Sequence, residues 1–231
     1  MTIKFWNSTR VAIAGVVALI VAAGLGVSIW SFSLVDYLAS GKQEKSFVVD
    51  CDFAKFRQIM VRKNATAAII GRSGMTLLDE KIQDVQLDTS GDDRPLLNAI
   101  LGRSKSDLTA IKQITVKLDD PAIDADKLVL RQQATIQPDL MNVVTKSKEP
   151  SGNLESYETT LEAQPSGDRT EVKLMVALSV RVKLPKMFTS RADTQVQRSA
   201  LDAVTEQERS ITAFIAQYAD ERLILPELGK E

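Results

Sequence analysis

The side chains that most often carry chemistry are scarce in this chain, and one type is missing altogether. There is no histidine among the 231 residues. Ser-His-Asp and Cys-His catalysis, HExxH zinc chemistry, haem ligation by histidine and a histidine pH switch are therefore excluded. The single cysteine, Cys51, allows no internal disulfide and no cysteine-based zinc or iron–sulfur site within one chain. Its plainest reading is a small apolar residue at a strand end, with a redox role or an intermolecular disulfide as the alternative.

Other arrangements have the right residue types but the wrong spacing. The run Asp119-Asp120-Pro121-Ala122-Ile123-Asp124-Ala125-Asp126 offers oxygens of the kind calcium takes. It lacks the EF-hand ligand order and its glycine, and it falls where two strands must be joined, so it reads as a solvated turn. Ser104-Lys105 and Ser147-Lys148 are adjacent in loops and are not placed as nucleophile and base. Gly71-Arg72-Ser73-Gly74 lacks the spacing and the lysine of a phosphate loop. Asn64-Ala65-Thr66 fits the N-glycosylation pattern, which matters only in a eukaryotic secretory setting. With 30 acidic residues, no carboxylate pair stands out for hydrolysis. The sequence therefore predicts a non-catalytic protein with no cofactor and no metal. The formal charge of −1, from 29 basic and 30 acidic residues, argues against a nucleic-acid partner.

Val11 to Val35 contains no charged residue, between Arg10 and Asp36. As a helix it is about 37 Å long against about 30 Å of hydrocarbon, so it reads as one transmembrane span. Phe5 and Trp6 lie at one end, Trp30 and Tyr37 at the other, as interfacial aromatics do. Lys4 and Arg10 make the N-terminal side positive, which predicts a cytoplasmic N-terminus and an extracytoplasmic (periplasmic, in a Gram-negative-type bacterium) soluble domain. A cleaved signal peptide is the rival reading, with a weak cleavage site at Ala39-Ser40-Gly41. Within the span, Ala14, Ala18, Ala22 and Gly26 make a smooth stripe of the kind that lets two membrane helices approach. The chain thus divides into residues 1–10 in the cytoplasm, an anchor at 11–35, a polar stalk at 36–45 and a soluble α+β domain at 46–231.

The domain pattern begins with a short strand, Ser46 to Asp50, and a helix capped by Asp52, with Phe53, Phe56, Ile59, Met60, Ala67 and Ile70 on one face. Met75 to Leu87 reads as an irregular strand whose alternation slips between Ile82 and Val85, as at a bulge. After a turn-rich insert and a short apolar helix, Leu96 to Leu101, strands follow at Leu108–Leu118, Lys127–Ile136, Leu140–Lys146, Leu154–Ala163 and Thr170–Leu184. The last alternates Val172, Leu174, Val176, Leu178, Val180, Val182 and Leu184 with polar or small residues, as a strand covered on one side does. A long helix, Ser190 to Asp220, closes the pattern. Its apolar seam runs Val196, Ala200, Ala203, Gln207, Ile211, Phe214, Tyr218. The seam reads as packing on the domain's own sheet, with a coiled-coil contact to another chain as the alternative. The tail Leu223-Ile224-Leu225-Pro226-Glu227-Leu228 is apolar enough to dock on this chain or a partner.

This order of elements resembles the helix-grip arrangement of the START and polyketide-cyclase-like (SRPBCC) superfamily, over about Ser46 to Asp220. The resemblance implies a curved antiparallel sheet wrapped on the C-terminal helix, with a cavity between them. The expected function is a membrane-anchored binding domain that holds an apolar or amphipathic small molecule against the final-helix seam. The alternatives are an assembly subunit of a membrane complex, using the span stripe, the final helix or the tail, and an enzyme of the same broad fold working through acids and desolvation. A pocket of roughly 300 Å³ or more beside the seam would favour the first, and solid packing the second.

Overall fold

The computed structural model describes residues 33–63, 65–72, 75–93, 98, 106–118 and 127–221. Seven antiparallel strands form one sheet: β1 (Leu34–Val49), β2 (Met75–Asp88), β3 (Asp107–Leu118), β4 (Leu128–Ile136), β5 (Met141–Ser147), β6 (Leu154–Ser166) and β7 (Arg169–Pro185). The order across the sheet is β1-β7-β6-β5-β4-β3-β2. Strands β2 to β7 are thus a meander of neighbours, and β1 returns to pair along β7 from Leu34↔Pro185 to Val49↔Thr170. Helices α1 (Phe53–Arg62) and α2 (Ala65–Arg72) connect β1 to β2, and a single 3₁₀ turn (Lys186–Phe188) leads into α3 (Thr189–Tyr218).

Most elements lie where the sequence places them. Asp52 caps α1 by accepting from the Lys55 N–H at 3.0 Å, which satisfies one of the N–H groups that a first turn leaves unpaired. The slip in β2 is real: its pairing with β3 shifts between Ile82 and Asp84, and again between Leu77 and Asp79. In β7 the residues from Val172 to Val180 alternate buried with less buried, as the pattern predicts. The helix expected from Asp52 to Ile70 is instead two, because α1 closes at Lys63, whose N–H returns to the Ile59 carbonyl.

The N-terminal boundary needs correction. Leu34 and Val35, the end of the expected span, and residues 36–45, the expected stalk, all belong to β1, which begins twelve residues before Ser46. Alternation failed to reveal it because the covered side of this edge strand meets the polar flank of α3. Tyr37 donates to Asp193 at 2.7 Å, Gln43 donates to Gln197 at 3.0 Å, and Lys45 pairs with Glu208. Tyr37 is accordingly part of the fold. Asp193 and Gln197 also accept from the edge N–H groups of Ser40 and Lys42, which blunts an otherwise open sheet edge. Ala39-Ser40-Gly41 lies in the middle of β1, so cleavage there would remove half of the strand.

Among the described residues no helix is long and apolar enough to cross a membrane. The rest of the apolar run, with Ala14, Ala18, Ala22 and Gly26, lies outside the described residues. So do the acidic run 119–126, residues 222–231 and most of the insert after Asp93.

The core lies between the sheet and the three helices. Along α3, Val196, Ala200, Gln207, Ile211 and Phe214 are buried, while Ala203 and Tyr218 pack on the margin. Val204, Ser210 and Ile215 are buried as well, so the seam is a full-width stripe on this chain's own sheet and not a narrow coiled-coil seam.

Candidate functional site

Over β3 to β6 the helix-covered face of the sheet is mostly apolar, with one line of polar side chains across it. Each of β3 to β6 sends a row of side chains inward, and each row carries a polar residue at the same level. In β3 the row is Leu108, Ala110, Lys112, Ile114, Val116; in β4 it is Leu128, Leu130, Gln132, Ala134, Ile136. In β5 it is Met141, Val143, Thr145, and in β6 Tyr157, Thr159, Leu161, Ala163. The register brings the breaks together: Lys112 pairs with Gln132, Gln132 with Thr145, and Thr145 with Thr159. A polar crossbar four strands wide results. On one side it is flanked by Ile114, Leu130 and Tyr157, on the other by Ala110, Ala134, Val143 and Leu161.

Above this crossbar the chain leaves a cavity of about 190 Å³. Its roof comes from α1 and α2 through Met60, Val61, Ala65, Thr66, Ile69 and Ile70, and one wall from Gln207 and Ile211 of α3. Two short helices roof the space in place of one long one. The break at Lys63 turns the chain, so that Thr66 reaches the sheet and donates to Gln132 Oε1 at 3.1 Å. Gln132 Nε2 in turn donates to Thr145 Oγ1 at 3.2 Å. At the β3 end, Lys112 Nζ meets Glu80 Oε1 at 2.7 Å, both side chains being three-quarters or more buried. The charge that enters the cavity wall is thereby neutralised. At the β6 side, Gln207 Nε2 donates to the Tyr157 hydroxyl at 3.1 Å. Burial pushes the Tyr157 phenol up to about 12, only partly offset by that hydrogen bond, so it stands neutral at ordinary pH. Beyond the cavity, Arg57 Nη1 donates to the Gln137 carbonyl at 2.6 Å, and Gln137 Nε2 donates to Asp107 at 3.1 Å. Burial draws the Arg57 guanidinium below its ordinary value, and the charge of Asp107 works against that.

Of the seven seam positions, Gln207 and Ile211 line the cavity. Val196 instead lays its backbone against Gly41 of β1. Phe214 and Tyr218 stack edge to face at 5.2 Å, and Lys63 sits 4.9 Å from the Tyr218 ring. Sequence reasoning placed a ligand along all of α3 and overlooked Lys112, Gln132, Thr145, Tyr157 and Thr159. The signal for them is the polar break at the same level in each inward row, visible only once strand register is known. Among the other reactive groups, Cys51 is buried in the core. Ser147 accepts from the Tyr157 N–H, and Lys148 donates to Gln113. Among the described residues no group of acids, cysteine and histidine could hold a metal ion.

A second hollow of about 320 Å³ is lined by Ser40, Lys42, Lys146, Ser156, Glu158 and Ser179, among others. It is the more open of the two, and its polar side chains are engaged with one another: Ser40 with Ser179 at 3.1 Å and Lys146 with Glu158 at 3.0 Å. The smaller cavity is the better candidate, because an apolar lining with a few convergent polar groups is what a small-molecule site needs.

No family model and no curated protein matches the chain. Solved structures do. A START superfamily protein from Mycobacterium smegmatis is 12% identical with a TM-score of 0.45, over 76% of this chain and 97% of that one. The Zhui aromatase/cyclase from Streptomyces sp. R1128 is 11% identical with a TM-score of 0.44, over 83% and 99%. Norcoclaurine synthase from Thalictrum flavum is 11% identical with a TM-score of 0.40, over 80% and 91%. The likeness is one of fold, a curved antiparallel sheet gripping a C-terminal helix, and no binding or chemistry is carried over from it.

Proposed function

We propose that this chain is a non-catalytic binding domain for a small, mostly apolar molecule, tethered to a membrane by its N-terminal apolar run. The cavity under α1 and α2 carries the reading. The face beside the seam is not solidly packed, yet at about 190 Å³ the cavity is smaller than the roughly 300 Å³ expected above and falls below the range of drug-sized sites. It slightly exceeds the roughly 150 Å³ apolar cavity that accepts benzene, so the ligand has the size of one substituted ring or a short chain. Lys112 is held in an ion pair by Glu80 and Tyr157 stays protonated. Neither is therefore a ready general base at neutral pH.

The start of β1 supports the tether. Ser33 accepts from the Lys186 N–H, so the sheet begins where the apolar run stops. Shortened to residue 33, the run is still about 34 Å long as a helix, enough for about 30 Å of hydrocarbon. Leu34, Leu38 and Met187 are exposed near this end of the sheet, close in strand register or in sequence to Arg181, Lys183 and Lys186. Apolar and basic side chains together suit a membrane interface.

The edge strand β2 favours a second reading, as an assembly subunit. Leu78, Ile82, Val85 and Leu87 are exposed there, on the strand that ends the sheet among the described residues, which invites another chain. Native mass spectrometry of the full-length protein, released gently from its own membrane, separates the two. An added mass of one or two hundred daltons, lost on denaturation, supports ligand binding. A bare chain within a defined heteromer supports assembly and sinks the binding reading.

A further inference from the structure

The polar crossbar on the cavity floor states what kind of polar group the ligand carries. Three of its hydrogen-bonding capacities are unspent. Thr145 Oγ1 accepts from Gln132, and its own proton has no acceptor among the described residues. The Thr159 hydroxyl, directly opposite in register, has no hydrogen-bond partner among them at all. Tyr157, next in the same inward row of β6, accepts from Gln207 and also has a proton to give. A hydroxyl that already accepts one bond keeps its proton and a spare lone pair, and in folded chains a buried proton without an acceptor is rarer than a spare lone pair. Cross-strand neighbours stand about 5 Å apart at Cβ, close enough for Thr145 and Thr159 to reach one ligand atom. The floor therefore holds three protons that a ligand oxygen can take up.

Charge narrows the choice. Lys112 and Glu80 neutralise each other at the β3 end, so the floor carries no net charge. A carboxylate entering here would lose its hydration without gaining an unpaired cation, and an ammonium would face Lys112.

On the reading that the cavity binds a small molecule, we infer that its ligand is an uncharged one-ring or short-chain compound bearing a carbonyl-type oxygen. That oxygen accepts from Thr145 and Thr159, the apolar body lies against Ile69, Ile70 and Leu161, and Tyr157 lies within the same wall.

Three isosteric probes test this on the full chain kept in solution with detergent: acetophenone, α-methylstyrene (methylene in place of the oxygen) and benzoate (an anion of the same shape). Each is titrated calorimetrically, with protein-free micelles as the blank. Acetophenone is expected to bind about tenfold more tightly than α-methylstyrene, the worth of one or two net neutral hydrogen bonds, and benzoate not to bind. In Thr159→Val, an isosteric change to a side chain that holds no hydrogen bond, the preference should fall to about threefold or less. Binding of α-methylstyrene should persist there, which shows the cavity intact, and Thr145→Val provides an independent second variant. Equal binding of acetophenone and α-methylstyrene overturns the inference and leaves the cavity reading standing. So does a preference for benzoate, or a tenfold preference that survives in both variants. If none of the three binds, the cavity reading falls as well.

Discussion

Gly41 sits where β1 passes closest to α3, and substituting it tests whether that contact organises the domain. A Cβ built at Gly41 would lie 2.4 Å from the Val196 carbonyl oxygen, 2.6 Å from its carbon and 2.9 Å from the Gln197 nitrogen. All three are helix backbone, so no side chain can swing aside, and the first is a full ångström short of ordinary contact. In Gly41→Ala the helix must retreat from the strand by about that distance. The acceptors Asp193 and Gln197 then draw away from the Ser40 and Lys42 N–H groups, and the seam around Val196 and Ala200 loosens. Overpacking of this kind costs about 1–3 kcal/mol. Replacing glycine also restrains the unfolded chain, a gain of about 0.4–1 kcal/mol where the backbone conformation allows it. With two hydrogen bonds weakened in addition, the net loss should be about 2–3 kcal/mol. Urea unfolding followed by circular dichroism reads this as a midpoint lowered by about 1 M, for an m-value of about 2–3 kcal/mol/M. Gly71→Ala is the control, since nothing lies within 4 Å of its Cβ position; it should be neutral or stabilising by up to about 1 kcal/mol. If Gly41→Ala stays within about 0.5 kcal/mol of the parent, the strand–helix contact does not have the closeness on which the account of β1 rests.

The remaining expectations concern single groups. Asp52→Ala removes the acceptor for the Lys55 N–H and should destabilise by about 1 kcal/mol in the same unfolding assay. The Tyr157 phenol stands at about 12 against an ordinary value near 10, so its neutral form is the one the fold favours. The stability this represents is complete below about pH 10 and is lost as pH rises towards 12, up to about 3 kcal/mol. The difference between the parent and Tyr157→Phe across that range should shrink accordingly; a constant difference would mean that the phenol is not buried. Desolvation likewise pushes the Cys51 thiol up. Alkylation at neutral pH should therefore be at least about tenfold slower in the folded chain than in denaturant, as mass spectrometry would show.

Elements were legible in this sequence where a period carries burial, and illegible where burial is one-sided in another way. Strand β7 announced itself because it lies inside the sheet with one face covered, which writes strict alternation into Val172 to Val180. Strand β1 is nearly as long and has a long partner, yet its sequence reads as the end of a span and a stalk. Its covered side meets helix side chains that are themselves polar, so Tyr37, Gln43 and Lys45 stand where alternation requires apolar residues. The final helix was read almost whole, because a 3.6-residue period over eight turns survives errors of one position. Val204 and Ile215 were missed since a single-file seam was read where the sheet is wide enough for two files. The site fared worst. No short motif marks it, because Lys112, Gln132, Thr145 and Thr159 are brought together by register alone.

That crossbar is also the strongest argument that the domain binds something. Stability by itself would favour filling the cavity and replacing its polar floor. An apolar side chain at Thr145 or Thr159 would bury well between Val143, Leu161 and Val176. A hydroxyl there contributes only if it is hydrogen-bonded. Thr159 has no partner among the described residues, and Gln132 must be held from both sides by Thr66 and Thr145 to be tolerable at all. Lys112 brings a charge to the wall that only Glu80 offsets, and such a pair seldom exceeds the worth of an apolar substitute. Four strands thus each give up one apolar position, in one line, under a space left open between sheet and helices. Each departure alone would be a local accident of packing. Aligned beneath a cavity, they are what a site for a small molecule with one polar atom requires.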